Sequence, residues 1–110
     1  MLVVTRHQVP PGSEAAWLDR ARAAVSALAQ RPGYRSARIG RAVDDRGLFV
    51  LETEWEHVGA YRRALSGYDV KVAAWPVLGE ALDEPTAYEL LHADGLASAG
   101  WEPVDLGPPA

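Results

Sequence analysis

The amino-acid sequence predicts an α+β domain of the ferredoxin-like βαββαβ kind: a four-stranded antiparallel sheet with its helices on one face. Three observations carry this. Four short segments read as strands, two longer ones repeat apolar residues at helical spacing, and they follow one another as strand, helix, strand, strand, helix, strand. Right-handed crossovers then bring both helical segments to the same side of the sheet.

The first strand runs from Leu2 to about Gln8, rich in β-branched residues, and stops at Val9-Pro10-Pro11-Gly12. Ser13 is the expected cap of a helix reaching Gln30. Its residues Trp17, Leu18, Ala21, Ala24, Val25 and Leu28 gather on one face. Arg31-Pro32-Gly33 breaks the helix, and Tyr34 to Val43 follows as a second strand. Asp44-Asp45-Arg46-Gly47 is turn chemistry, so Leu48 to Trp55 returns antiparallel to it. The unbroken run Leu48 to Leu51 predicts burial on both faces at that end of the third strand. Helical signals resume from His57 or Val58 to Leu65, pause at Ser66-Gly67, and continue from Asp69 to Leu82, where Pro76 should divide the segment. Thr86 to Leu91 reads as the fourth strand. One domain over 1–92 and an irregular tail over 93–110 are expected.

The composition excludes several function classes. With 48% hydrophobic and 24% charged residues the chain has ordinary globular usage, and its net charge of -4 with scattered basic residues argues against nucleic acid as a partner. Without cysteine there is no disulfide, thiolate metal site or cysteine nucleophile. His7, His57 and His92 fall on separate elements with no ligand spacing, so no metal is expected. No apolar stretch approaches the ~20 residues needed to span a bilayer, and the first residues lack a signal-peptide pattern. The expectation is a cytoplasmic protein without a membrane partner.

With both helical segments on one side, the other side of the sheet should carry Leu2, Val4, Ile39, Leu48, Val50 and Leu91. Burying six aliphatic side chains is worth an upper bound of ~9–18 kcal/mol before association costs, which predicts a homodimer through the sheet face.

Arg31-Pro32-Gly33-Tyr34, Asp44-Asp45-Arg46-Gly47, Thr53-Glu54-Trp55-Glu56 and Ala60-Tyr61 resemble the motifs of the antibiotic biosynthesis monooxygenase family, over about Leu2 to Leu91. The resemblance implies a dimeric α+β barrel. It also implies oxidation of a small aromatic or polyketide-like phenol by molecular oxygen, with no metal, flavin or haem. Of the polar residues that members of this kind use, Trp55 and Tyr61 match the tryptophan ending strand three and the tyrosine early in the next helix. The asparagine position falls on Leu51, and the arginine position falls near Ala74 or Trp75. A haem-degrading branch of the family would need ligating residues where this chain has His7, Ala64 and a residue close to Ala74. Nothing at the helical positions ligates iron. An accessory protein that binds without turnover, or a polyketide cyclase or isomerase, remains open beside the oxygenase.

Strand alternation places Thr5 and His7 on one face of strand one, and Leu51, Thr53 and Trp55 together on strand three. His7, Trp55 and Tyr61 are the candidate catalytic residues, with Thr5, Leu51, Thr53, Tyr68 and Trp75 expected around the substrate. An imidazole titrates near pH ~6.5 and suits a base toward a phenol. The simpler role for His7 is a strand-end hydrogen bond to backbone. Each tryptophan also serves as ordinary core, the role expected of Trp17. Glu52 and Glu54 point away from Trp55, toward Arg6, Arg38 or Arg41.

Overall fold

The computed structural model describes residues 1–95. The elements are β1 (Leu2–Gln8), α1 (Glu14–Leu28), β2 (Tyr34–Arg41), β3 (Leu48–Trp55), α2 (Val58–Ala64), α3 (Tyr68–Ala73), α4 (Trp75–Leu78) and β4 (Ala87–Tyr88). The four strands form one sheet in the order β2-β3-β1-β4, every neighbouring pair antiparallel. This is the ferredoxin-like arrangement, with β3 and β1 central. The irregular tail expected over 93–110, Trp101 included, lies largely outside the described residues.

The register fixes which side chains meet the helices. Val3 lies opposite Thr53, Thr5 opposite Leu51 and His7 opposite Phe49, so these six share a face with Trp55. All seven are buried, against Trp17, Ala21, Ala24 and Leu28 of α1 and against Ala60, Ala64, Val70 and Val77 of the later helices. Small alanines on the helices let α1 approach the sheet closely, while Leu28 and Trp17 fill the two ends. Ser13 does stand at the start of α1, but its side chain caps nothing. The Glu14 carboxylate instead accepts from the backbone N–H of Gly12 at 2.9 Å. His57 caps α2, its Nδ1 accepting from the Ala60 N–H at 3.1 Å. Pro76 separates α3 from α4 as its missing donor requires, standing in the first turn of α4, where that donor is not needed.

Three expectations need correction. Ile39 pairs with Leu51 and packs with the two core clusters on the helix side, so it is absent from the open face. The fourth strand is only Ala87–Tyr88. Its pairing of Tyr88 with Leu2 places Glu89 opposite Met1, past the end of β1, and the chain leaves the sheet there, with Leu91 55% exposed. The end of β3 buried on both faces is Thr53 to Trp55, with Glu54 6% exposed, whereas Leu48 and Val50 are half-buried.

One turn explains why the sequence motifs occur together. Gly33 has φ +89, and a Cβ there would run into the Cβ of Ala60 at the start of α2. The Glu56 N–H donates to the Gly33 carbonyl at 2.9 Å. Tyr34 pairs with Trp55 across the strands, and its ring meets the indole edge-on at 5.7 Å. The turn before β2, the end of β3 and the beginning of α2 thus form one packed unit.

Candidate active site

Tyr34, Trp55 and Tyr61 make a run of aromatic rings beneath α2, with Trp55 and Tyr61 centred 5.5 Å apart. Trp55 is completely buried, and its Nε1–H donates to Thr53 Oγ1 at 2.9 Å. Burial pushes the phenols of Tyr34 and Tyr61 above their ordinary range, because an apolar setting disfavours the phenolate. Tyr61 is therefore a protonated hydroxyl at neutral pH, suited to donate a hydrogen bond.

Tyr61 opens onto a groove of about 340 Å³ whose walls include Thr5, Leu65, Trp75, Leu78 and Thr86. The lining is mostly apolar, with hydroxyl-bearing side chains from Thr5 of β1, Tyr61 of α2 and Thr86 just before β4, as expected of a site for a small organic ligand. Trp75 is held as a wall. Its Nε1–H donates to the Leu65 carbonyl at 2.9 Å, and the Lys71 ammonium stands 5.4 Å from its ring centroid.

Of the candidate residues, the catalytic candidate Tyr61 and the expected substrate contacts Thr5 and Trp75 come together on this groove. Leu51, Thr53 and Trp55 lie behind it as buried floor. Tyr68 is 79% exposed on α3 and is not part of the lining. His7 adjoins Thr5: its Nε2 stands 2.8 Å from Thr5 Oγ1, a hydroxyl that also reaches the Leu51 carbonyl at 3.5 Å. Its ring faces Trp17 at 5.1 Å, and both residues line a separate cleft of about 260 Å³ that Arg20 and Glu80 border. Burial holds the His7 imidazole below its ordinary value, with the nearby Glu80 charge opposing and the Arg20 charge assisting.

Leu65, Leu78 and Thr86 escaped the sequence argument. Leu78 belongs to the helical apolar stripe and Thr86 to the predicted fourth strand, but nothing in their spacing shows that both border one hollow. Arg20 and Glu80 stand 60 positions apart, with both guanidinium–carboxylate contacts at 3.0 Å, a pairing that only the fold creates. On the opposite sheet face, Glu52 meets Arg38 at 2.6 Å and Glu54 lies 3.8 Å from Arg35. Arg6 pairs with Glu84, and Arg41 lies over the Phe49 ring. Arg62 and Arg63 are exposed, so neither brings a cation into the groove.

Among the described residues no cluster of three or more His, Cys, Asp or Glu is placed to hold a metal, and no helix is long and apolar enough to cross a membrane.

The antibiotic biosynthesis monooxygenase family model matches residues 1–74. Among solved structures, the cofactor-independent oxygenase SnoaB of Streptomyces nogalater is similar at 24% identity. The match covers 82% of this chain and 94% of that one, with TM-score 0.65. A Deinococcus radiodurans protein carrying the family's name matches at 21% identity over 87% and 98% of the two chains, TM-score 0.67. A Methanosarcina mazei protein matches at 19% identity over 78% and 84%, TM-score 0.63. At such identities the likeness speaks for the fold. No curated protein matches in sequence.

Proposed function

The chain belongs to the antibiotic biosynthesis monooxygenase family, and on that premise we propose that it is a cofactor-independent monooxygenase acting on a small aromatic or polyketide-like phenol. The observation that carries this reading is the apolar groove with the protonated Tyr61 hydroxyl and Thr5 on its walls. The similarity to the cofactor-independent oxygenase SnoaB of Streptomyces nogalater supports it. A flat phenol lies along Trp75, Leu65 and Leu78, and the Tyr61 hydroxyl donates to one of its oxygens. Loss of the phenolic proton raises electron density on the ring and lets the substrate itself reduce oxygen. One oxygen atom enters at a ring CH2, and the other leaves as water with the two hydrogens of that carbon. Trp55 supports the Tyr61 ring from below.

Anthrone is the test substrate. Aerobic incubation should give anthraquinone with matching oxygen uptake, stop without oxygen, and slow about 100–1000-fold in Tyr61→Phe, the range of a single catalytic hydrogen bond. Conversion that ignores Tyr61→Phe would count against this reading.

Leu51, buried where the resemblance calls for asparagine, favours a second reading: a ligand-binding protein that has lost turnover. Tight anthrone binding with no quinone formed would select it.

We also propose that the open sheet face pairs with a second copy. Leu2, Val4, Leu48 and Val50 are half-buried there, and burying four aliphatic groups is worth at most about 6–12 kcal/mol. Sedimentation equilibrium should give a dimer that Val50→Asp separates.

A further inference from the structure

Two buried polar atoms on the Trp17 side of the sheet have no hydrogen-bond partner among the described residues: His7 Nδ1 and Trp17 Nε1. Their side chains are 2% and 3% exposed, and both line the cleft of about 260 Å³. Buried polar groups are nearly always satisfied, so two orphans on one cleft wall imply something that satisfies them. A water molecule would satisfy both, since it accepts from the indole N–H and either accepts from or donates to Nδ1. The other imidazole nitrogen is bonded to Thr5, and Thr5 lines the groove. The chain groove, Thr5, His7, cleft is therefore continuous, and it emerges beside the Arg20–Glu80 pair.

We propose that this cleft is a hydrated proton port for the groove, with His7 acting through Thr5 and not on the substrate itself. The role of the port rests on the oxygenase reading; its hydration does not. A phenol O–H in the groove gives its proton to Thr5 Oγ1, whose own proton passes to His7 Nε2. The Nδ1 proton then moves to the water in the cleft and on to solvent. The imidazole ends neutral in its other tautomer, and ring rotation or the reverse relay resets it. A depressed imidazole affinity suits the role, because a neutral ring can accept at one nitrogen while releasing at the other. The charged groups facing His7 are Arg20 on α1 and Glu80 after α4. Their mutual pairing leaves little net field at the ring. An unrelayed base in the groove would instead face solvent across the groove mouth.

Two independent measurements test this on the full chain. Water-selective NMR on 15N-labelled protein should show a bound-water contact at the Trp17 indole N–H, and Thr5→Val should shift the His7 ring nitrogens. A dry Trp17 indole, or His7 nitrogens indifferent to Thr5→Val, would overturn the port whatever the enzyme does. In the anthrone assay His7→Gln and Thr5→Val should each slow turnover about 100-fold, and the double variant no further, since both break one relay. Imidazole added to His7→Ala should restore rate with a pH dependence that follows the added base. Multiplying losses, or no rescue in a folded variant, would again overturn it. If the wild type fails to turn anthrone over at all, the oxygenase reading falls while the NMR result still decides the hydrated port.

Discussion

Trp55 and Trp17 both lie on the helix side of the sheet, 0% and 3% exposed. The first gives its indole N–H to Thr53 at 2.9 Å; the second gives its own to nothing among the described residues. Each sits in a run of rings, Tyr34–Trp55–Tyr61 in one case and His7–Trp17–Phe49 in the other. Burial and aromatic packing are thus the same in both clusters, and the fate of the polar atom separates them. A satisfied indole belongs to a closed core that shapes a groove above it. An unsatisfied one marks a place where the fold leaves room for another molecule.

Five experiments press on this contrast. Truncation should hide it: Trp55→Ala and Trp17→Ala should each cost about 3–5 kcal/mol in urea unfolding, because both remove a large buried ring. Polar edits should reveal it. Thr53→Val keeps the shape of the side chain but strands the Trp55 indole, and should cost about 1–3 kcal/mol. Of the two Trp→Phe variants, the change at position 55 should be the costlier by about 0.5–1.5 kcal/mol, the net worth of one hydrogen bond. Equal costs would erase the distinction.

Acid comes next in size. The folded-state affinity of His7 for protons is depressed by burial, so above pH ~6.5 the ring is neutral in both folded and unfolded chains and costs nothing. As pH falls through that value the unfolded chain takes up the proton first, and stability is lost until the folded ring titrates too. The slope from this one group cannot exceed about 1.4 kcal/mol per pH unit, and His7→Gln should flatten the melting-temperature profile between pH 7 and 5. No comparable dependence is expected from the Trp55 cluster, where the phenols of Tyr34 and Tyr61 titrate only well above neutrality. The smallest effect is that of Glu80→Gln. Arg20 and Glu80 are about half exposed, so the pair is worth about 0–1 kcal/mol in thermal denaturation.

Periodicity carried the fold. The α1 stripe from Trp17 to Leu28 and the alternation of β1 are local patterns, and a pattern that repeats every two or 3.6 residues declares its buried side without knowledge of any partner. Where a reading depended on a partner, the sequence was silent. The alternation of β2 shows that Ala37 and Ile39 share a side. Only the pairing of Ile39 with Leu51 says that it is the helix side. The length of β4 follows from where β1 begins, not from the β-forming residues of 86–91. The groove was partly legible, because Thr5 and Tyr61 occupy strand and helix positions that point inward by rule. His7 was legible as an inward side chain, but which cavity it serves depends on Trp17, Arg20 and Glu80, contributed by α1 and by the segment after α4.

The contact of Gly33 with Ala60 has a consequence for anyone recombining this scaffold with its relatives. Exchanging the loop that enters β2 alone, or the opening of α2 alone, risks setting methyl against methyl where two backbones nearly touch. Chimaeras should therefore inherit positions 33 and 60 from the same parent, and crossover points are best placed outside the stretch that joins them.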